Sequence, residues 1–350
     1  MSNTPECSSW LGKPPPIDDS EKLLTDRSFI FPTKFVEQFN KDPLEGSRFL
    51  FDFSPDFKLS SNSFLSRIFF YCPEISYSSI TNYFLSSVNV SGTEFRDNRK
   101  SLFYFYFQSV NLDYLDISKA AQILLSRIAI PINPASNKII LEAFGEAYCN
   151  SNKYIQETPT DVAMFGKAAI LYSMDKIGTN KMPRDEFKQI LDESNFTDPA
   201  KETFLDEIIK NPVPLFFTFF DSQIEPSFEK SGNFTKYGKK HKRKKKISLN
   251  ITKGKIVYYK DNPKDQSERS FKLNNIITEI VPQEQKNPAY LVIKKNQGVT
   301  FDYTVKSKGH EVIKKKQSFA LVPDGDEDLI AWKRCIDYNS CYISLYNLRL

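Results

Sequence analysis

Only two histidines occur in the chain, and neither has a plausible serine, cysteine or carboxylate partner. His241 lies inside a lysine run and His310 in a Lys/Gly loop. Their isolation argues against histidine-based nucleophilic catalysis and against His-rich metal sites. There is no G-x-x-x-x-G-K-[ST] and no G-x-G-x-x-G, which removes the usual phosphate-cradling loops. The five cysteines (Cys7, Cys72, Cys149, Cys335, Cys341) are odd in number and scattered, with no C-x-x-C. That usage suits a reducing cytosol better than a disulfide framework or a zinc site. No apolar run approaches the length of a membrane span; the richest, Leu215–Phe220, is far too short. The opening MSNTPECSSWLGKPPPIDD has no basic start followed by an apolar run, so no secretory signal is expected. These absences together point to a cytoplasmic or membrane-peripheral protein that needs neither metal nor cofactor.

What is present is enough to build two domains: 350 residues, 40% of them apolar. Charge divides the chain. Residues 226–350 hold 26 Lys/Arg against 13 Asp/Glu, a net of +13, whereas residues 1–225 hold 22 against 30, a net of −8. A polyanion-facing C-terminal module on an acidic one is the simplest organisation. Residues 1–30, with Pro14-Pro15-Pro16, read as a flexible lead-in. From about Phe31 to Asn211 the apolar spacing is helical, best seen in TPTDVAMFGKAAILYSMDKIG. There Thr158 is the expected cap, Pro159 the first helical residue, Asp161 a favourable charge near the dipole's positive end, and Gly178 the stop. Apolar positions nearly surround that helix, which makes it a central one.

Asn211-Pro212-Val213-Pro214 ends the helical region, and 212–227 reads as a linker. Beyond about Phe228 the period falls to two. KISLNIT sets Ile247, Leu249 and Ile251 on one face, and GKIVYYKD and AYLVIKKN are further strands. Asn262-Pro263 and Asn296-Gln297-Gly298 are turn chemistry. DGDEDLIAWKRCIDY forms a final helix with acids at its start and Lys333-Arg334 towards its end. Several strands closed by one helix make a small sandwich or barrel over residues 228–341, with 342–350 as a tail.

Three segments carry a resemblance. FVEQFNKDPLEGSRFLFD keeps a Phe-Asn-x-x-Pro-x-x-Gly spacing at Phe39, Asn40, Pro43 and Gly46. ILEAFGEAYCNSN supplies Glu142, Ala143, Phe144, Tyr148, Cys149 and Asn152, and NKMPRDEF follows. In order and spacing they resemble the Sec-seven-type guanine nucleotide exchange domain, the catalytic module for Arf-family GTPases. The basic half, with FTFFDSQIEPSFEKSGNFTKYG before it and Trp332 in its closing helix, resembles a pleckstrin homology (PH) domain in a cytohesin-like arrangement. The fold class this implies is multidomain. An all-α exchange domain (31–211) precedes a β-sandwich or barrel PH domain with a C-terminal helix. Implied partners are an Arf-family small GTPase and a phosphoinositide or other anionic membrane lipid, with roles in Arf signalling and vesicle trafficking.

In that family a Pro-Gly-Glu loop supplies a catalytic glutamate, which competes electrostatically with the nucleotide phosphate for magnesium and a GTPase lysine. Anchored on Ala143-Phe144, the glutamate position falls on Asn133, and neighbouring registers offer only Pro131, Ile132, Pro134 or Ala135. Asn133-Pro134 is also a strong cap and first-turn pair, so Asn133 either simply starts the helix or keeps a polar role in displacement. Removing one electrostatic stabiliser costs on the order of 10²–10³ in rate. The second family motif, Leu-Asn-Thr-Asp-Leu-His, resembles Tyr172 to Ile177, keeping Asp175 but holding Ser173 and Ile177 at the Asn and His positions. Phe165, Ile170 and Met174 are the expected apolar lining of the GTPase groove, although their helical spacing equally suits a core. Two readings stay open: an exchange factor, or a non-catalytic adaptor that binds a GTPase and phosphoinositides.

KYGKKHKRKKK (236–246) holds eight Lys/Arg in eleven residues. It resembles the Lys-x(n)-[Lys/Arg]-x-Arg phosphoinositide signature, which implies Lys236, Lys242, Arg243, Lys244 and Lys246 as lipid ligands. On a strand, Lys244 and Lys246 share the face opposite Ile247 and Leu249. Lys246 in place of the final arginine keeps a point charge without the bidentate fork. A solvated charge run or a nuclear-import or nucleic-acid patch are the other readings. Only Tyr237 and His241 interleave the charges, a poor stacking platform, so no nucleic acid is expected.

Overall fold

The structure, a computed structural model, describes residues 33–53, 62–86, 95–176, 182–219, 227–237, 244–260, 267–283, 288–295, 300–307, 310–324 and 328–350. Two helices, α1 (Thr33–Lys41) and α2 (Pro43–Phe53), meet at a tight corner. Asp42 makes the corner by accepting from the backbone N–H of Leu44 and Glu45 (3.0 and 3.2 Å), with Pro43 in the first helical position. A Cβ on Gly46 would collide with the Phe39 backbone, so the return past Phe39 requires glycine. Asn40 ties the corner to the next loop, donating to Glu74 O (2.9 Å) and accepting from Ser76 N (2.8 Å). Phe39, Asn40, Pro43 and Gly46 are therefore a folding device, with Phe39 stacked on Phe69 at 5.0 Å.

Helices α3 (Asn62–Tyr71), α4 (Tyr77–Ser86), α5 (Phe95–Phe107) and α6 (Ile117–Leu125) follow. A two-residue strand β1 (Ala129–Ile130) then leads to the central pair α7 (Pro134–Ser151) and α8 (Pro159–Asp175). Thr158 caps α8 in a full capping box with Asp161, and the helix is buried on nearly every side, as its apolar pattern requires. The two helices approach so closely that a Cβ on Gly145 would enter the Pro159 carbonyl. α9 (Arg184–Asp192) and α10 (Asp198–Lys210) complete the helical unit. Strand β2 (Phe216–Phe217) returns to pair in parallel with β1, which brings the connecting segment beside the entrance of α7.

The second unit is a curled, wholly antiparallel sheet, a half-barrel. Its strands are β3 (Lys230–Tyr237), β4 (Lys244–Thr252), β5 (Lys255–Lys260), β6 (Glu268–Lys272), β7 (Ile276–Val281), β8 (Tyr290–Lys295), β9 (Phe301–Ser307), β10 (His310–Lys316) and β11 (Ser318–Pro323). They lie in the order β10-β9-β6-β5-β4-β3-β11-β8-β7. Ile247, Leu249 and Ile251 are all buried, in agreement with the alternation of KISLNIT. Helix α11 (Leu329–Tyr346), capped by Asp328 through Ile330 N (2.8 Å), lies across the sheet with Trp332 edge-on to Phe234 at 4.8 Å.

One expectation needs correction. Lys333 and Arg334 lie in the first half of α11, because the helix continues to Tyr346, past residue 341. Burial of Tyr338, Cys341, Tyr342 and Leu345 explains the extension. Trp332, Cys335 and Ile336 join the sheet's core, whereas those four join the core of the helical unit. α11 is a wall common to both. Gly178, Asn262-Pro263 and Asn296-Gln297-Gly298 lie outside the described residues.

Candidate functional site

At the entrance of α7, Asn133 is exposed and extended (φ −71°, ψ 119°). Its Oδ1 accepts from Ala135 N at 2.9 Å and its carbonyl accepts from Asn137 N at 3.1 Å. The side chain is thus committed to capping the helix, and the first turn contains no acid. Two residues earlier, the Pro131 carbonyl accepts from Asn137 Nδ2 (2.8 Å) and from Cys341 Sγ (3.5 Å). α11 therefore touches the very loop in which Asn133 sits.

The proposed groove residues are covered. Phe165 packs between Phe196 (4.2 Å) and Phe204 (4.5 Å), deep in the helical core, and Ile170 is equally buried. Both are core residues in this conformation. Met174 is buried too, and its carbonyl accepts from Tyr338 Oη at 2.6 Å. Asp175, 1% exposed at the end of α8, accepts from Met182 N and is ion-paired with Lys253 in the β4–β5 turn. The Lys253 ammonium lies 4.7 Å from the Tyr342 ring centroid, a cation–π contact that holds it over Asp175.

Further contacts latch α11 down. Lys167 Nζ donates to Leu348 O (2.8 Å), its ammonium driven down from the usual lysine pKa by burial, and Lys138 Nζ donates to Arg349 O (3.2 Å). Tyr338 packs on Phe228 (4.9 Å) and Phe217 (5.3 Å). On the sheet side, Asn339 accepts from Gly254 N (2.6 Å) and donates to Phe228 O (3.1 Å). Tyr342 Oη is buried at this seam with no hydrogen-bond partner among the described residues. Lys253, Tyr338, Tyr342 and Lys167 escaped sequence reasoning. For Tyr338 and Tyr342 the one signal was an apolar pattern that runs on past residue 341; Lys253 and Lys167 had none.

The basic stretch resolves differently. Lys242 and Arg243 lie outside the described residues. In the β3–β4 register Lys236 faces Lys245, whereas Lys246 faces Thr235 and Lys244 faces Tyr237. Lys244 and Lys246 do share a face, but it is the face away from Lys236, since a strand alternates sides at each residue. Lys236 and Lys246 thus lie on opposite faces of the sheet. Lys236 instead turns inward, donating to Tyr258 Oη at 2.8 Å, with its ammonium 4.3 Å from the rings of Tyr258 and of Phe319. Burial, then the charges of Lys316, Arg269, Lys245 and Lys260, push its pKa down to about 6. Those four cations converge from β10, β6, β4 and β5, which sequence spacing could not reveal. The arrangement gathers cationic side chains around an amine whose protonated form an adjacent anion would stabilise.

A family model described as the Sec7 domain matches residues 32–211. No curated protein matches the chain. Among solved structures, the catalytic domain of Sec7p is similar at 15% identity and a TM-score of 0.42, covering 51% of this chain and 97% of that one. A Sec7 domain in complex with ARF1-GDP and brefeldin A is similar at 16% identity and a TM-score of 0.43, covering 52% and 91%. A chimera of the Sec7 domain of Rickettsia prowazekii RalF and the capping domain of Legionella pneumophila RalF is similar at 12% identity and a TM-score of 0.43, covering 91% and 96%. More than half of the chain lies within the family match, and the chain belongs to the Sec7 domain family.

Proposed function

We propose that the chain is a guanine nucleotide exchange factor for an Arf-family GTPase, or a degenerate descendant of one, described here in a closed conformation. In this reading the sheet unit is a PH domain that recruits the protein from the cytoplasm to anionic membranes. The observation that carries the first part is the family match over residues 32–211. Closure is supported by burial of Met174 and Asp175, with Tyr338 on the first and Lys253 on the second. An unpaired buried hydroxyl costs about 1–3 kcal/mol, so Tyr342 makes the seam between the units a separable one. The lipid part is supported by the inward cluster around Lys236 and by the net +13 of residues 226–350.

The mechanism has no covalent step. α11 must lift from α7 and α8, the GTPase switch regions then dock against α8, and the loop holding Asn133 approaches the nucleotide phosphate. An amide donates a hydrogen bond there but cannot repel phosphate or compete for magnesium as a carboxylate does. Asn133 thus favours a second reading, an adaptor that grips the GTPase without releasing its nucleotide.

The deciding experiment is release of fluorescent GDP from myristoylated Arf-family GTPases on anionic liposomes, comparing wild type with Asn133→Glu. Under the exchange reading wild type accelerates release, and Asn133→Glu accelerates it further by on the order of 10²-fold. Acceleration by the mutant alone identifies an adaptor. No acceleration and no GTPase binding by either protein rejects both readings.

A further inference from the structure

Among the described residues, strand β10 (His310–Lys316) forms an edge of the nine-stranded sheet and is hydrogen-bonded to β9 alone. Its sequence, HEVIKKK, breaks the rule of a half-buried strand. Val312 is 51% and Ile313 68% exposed, although adjacent strand residues point to opposite faces and one face is normally covered. All of residues 311–315 are exposed, so this stretch of β10 stands beyond the packed body of the sheet. Lys314 and Lys315 come next, again one to each face.

Only at Lys316 does the strand rejoin the sheet's interior, with the ammonium 4.3 Å from the Phe319 ring, the same ring that lies 4.3 Å from the Lys236 ammonium. Val312, Lys314 and Lys316 pair with Val305, Tyr303 and Phe301 on β9, so they form one row leading from the cationic cluster out along the hairpin.

We infer that the β9–β10 hairpin is a membrane-inserting edge, with Val312 and Ile313 entering the interfacial layer of an anionic bilayer while Lys314 and Lys315 stay at headgroup level. This rests on the membrane reading of the basic unit and states how that unit seats. A bilayer fits better than a protein partner for three reasons. Two apolar side chains fall far short of the roughly 800 Å² per side that a stable protein interface needs. Lys314 and Lys315, directly after the apolar pair, extend their stems along it and return their charge to the headgroups, while Glu311 before it is neutralised by Lys306 at 3.5 Å. Lysines on an exposed strand edge also oppose pairing with a second copy, while the +13 of residues 226–350 complements an anionic surface.

The test uses the full chain with Ile313→Trp on phosphatidylcholine vesicles with and without phosphatidylserine, alongside wild type and the double variant Val312→Ser/Ile313→Ser. The inserted indole is expected to shift to the blue only on anionic vesicles and to be quenched by brominated acyl chains. The double variant should sediment with those vesicles about tenfold more weakly, while its melting and oligomeric state match wild type. If the indole is silent and the double variant binds like wild type, insertion is rejected while charge-driven recruitment stands. If wild type itself ignores anionic vesicles, both fall. A double variant that instead dissociates a dimer marks the edge as an interface between copies and overturns the inference.

Discussion

Asn133 differs from a glutamate by one methylene and one charge, and the capping geometry says which of these matters for stability. Its Oδ1 already satisfies Ala135 N, so Asn133→Ala should cost about 1 kcal/mol in denaturant unfolding. Asn133→Glu should cost less, because a carboxylate at a helix N-terminus recovers about 0.3–1 kcal/mol. A folded Glu variant therefore reports on exchange and not on misfolding. Lys236 offers a second residue-scale prediction. Its pKa of about 6 in the unliganded protein rises when a phosphate arrives, so binding takes up a proton. Affinity for anionic vesicles should fall as pH rises from 6 to 8, and Lys236→Met should flatten that slope. Folding has its own pH dependence. The unfolded chain keeps the proton up to lysine's ordinary 10.5, so stability from this residue rises with pH across the window above about 6. The sequence singled out Lys236, but its companions Lys245, Lys260, Arg269 and Lys316 come from four strands and are visible only once the register is known.

At the scale of elements, α11 is where the sequence was legible and then ceased to be. Its start was plain in the acids before Leu329 and in Trp332, and α8 was plain from Thr158 through its capping box. Local signals of that kind are caps and spacing, which act over a single turn. The extension of α11 to Tyr346 depends on a second apolar stripe meeting a helical unit more than a hundred residues away in sequence, and no local signal carries that. The β4–β5 turn shows the same dependence. Gly254 adopts φ +75°, and a Cβ there would press on Ile343 of α11. Gly254→Ala should therefore destabilise the protein by about 1–2 kcal/mol for the backbone alone. Repulsion from Ile343 adds to this, so the melting temperature should drop further than for an alanine placed in an exposed turn of the same geometry. A drop no larger than in that control would mean that α11 does not press on the turn.

For the whole molecule the question is how firmly the two units hold each other. The latch combines the Lys253–Asp175 pair, the Tyr338–Met174 bond and the two lysines that grip the last carbonyls, offset by the unsatisfied Tyr342 hydroxyl. Asp175 is the most consequential member, since its buried carboxylate also accepts from Met182 N within the helical unit. Lys253, on the sheet, is the partner to change. Lys253→Glu sets a second carboxylate against the buried one; losing a buried partner costs about 3–5 kcal/mol, and here that cost falls on the closed state alone. A shift of that size changes the ratio of open to closed molecules by about a hundredfold or more. The variant should show faster amide exchange in residues 338–346 and expose the face of α8 around Met174. In solution, without membranes, it should bind an Arf-family GTPase more tightly than wild type does. The helical unit should keep its protection in α3 and α5, which pack against each other within it. Unchanged exchange in α11 would mean the two units form one rigid body, and the groove reading would have to be abandoned in favour of a surface elsewhere on the helical unit.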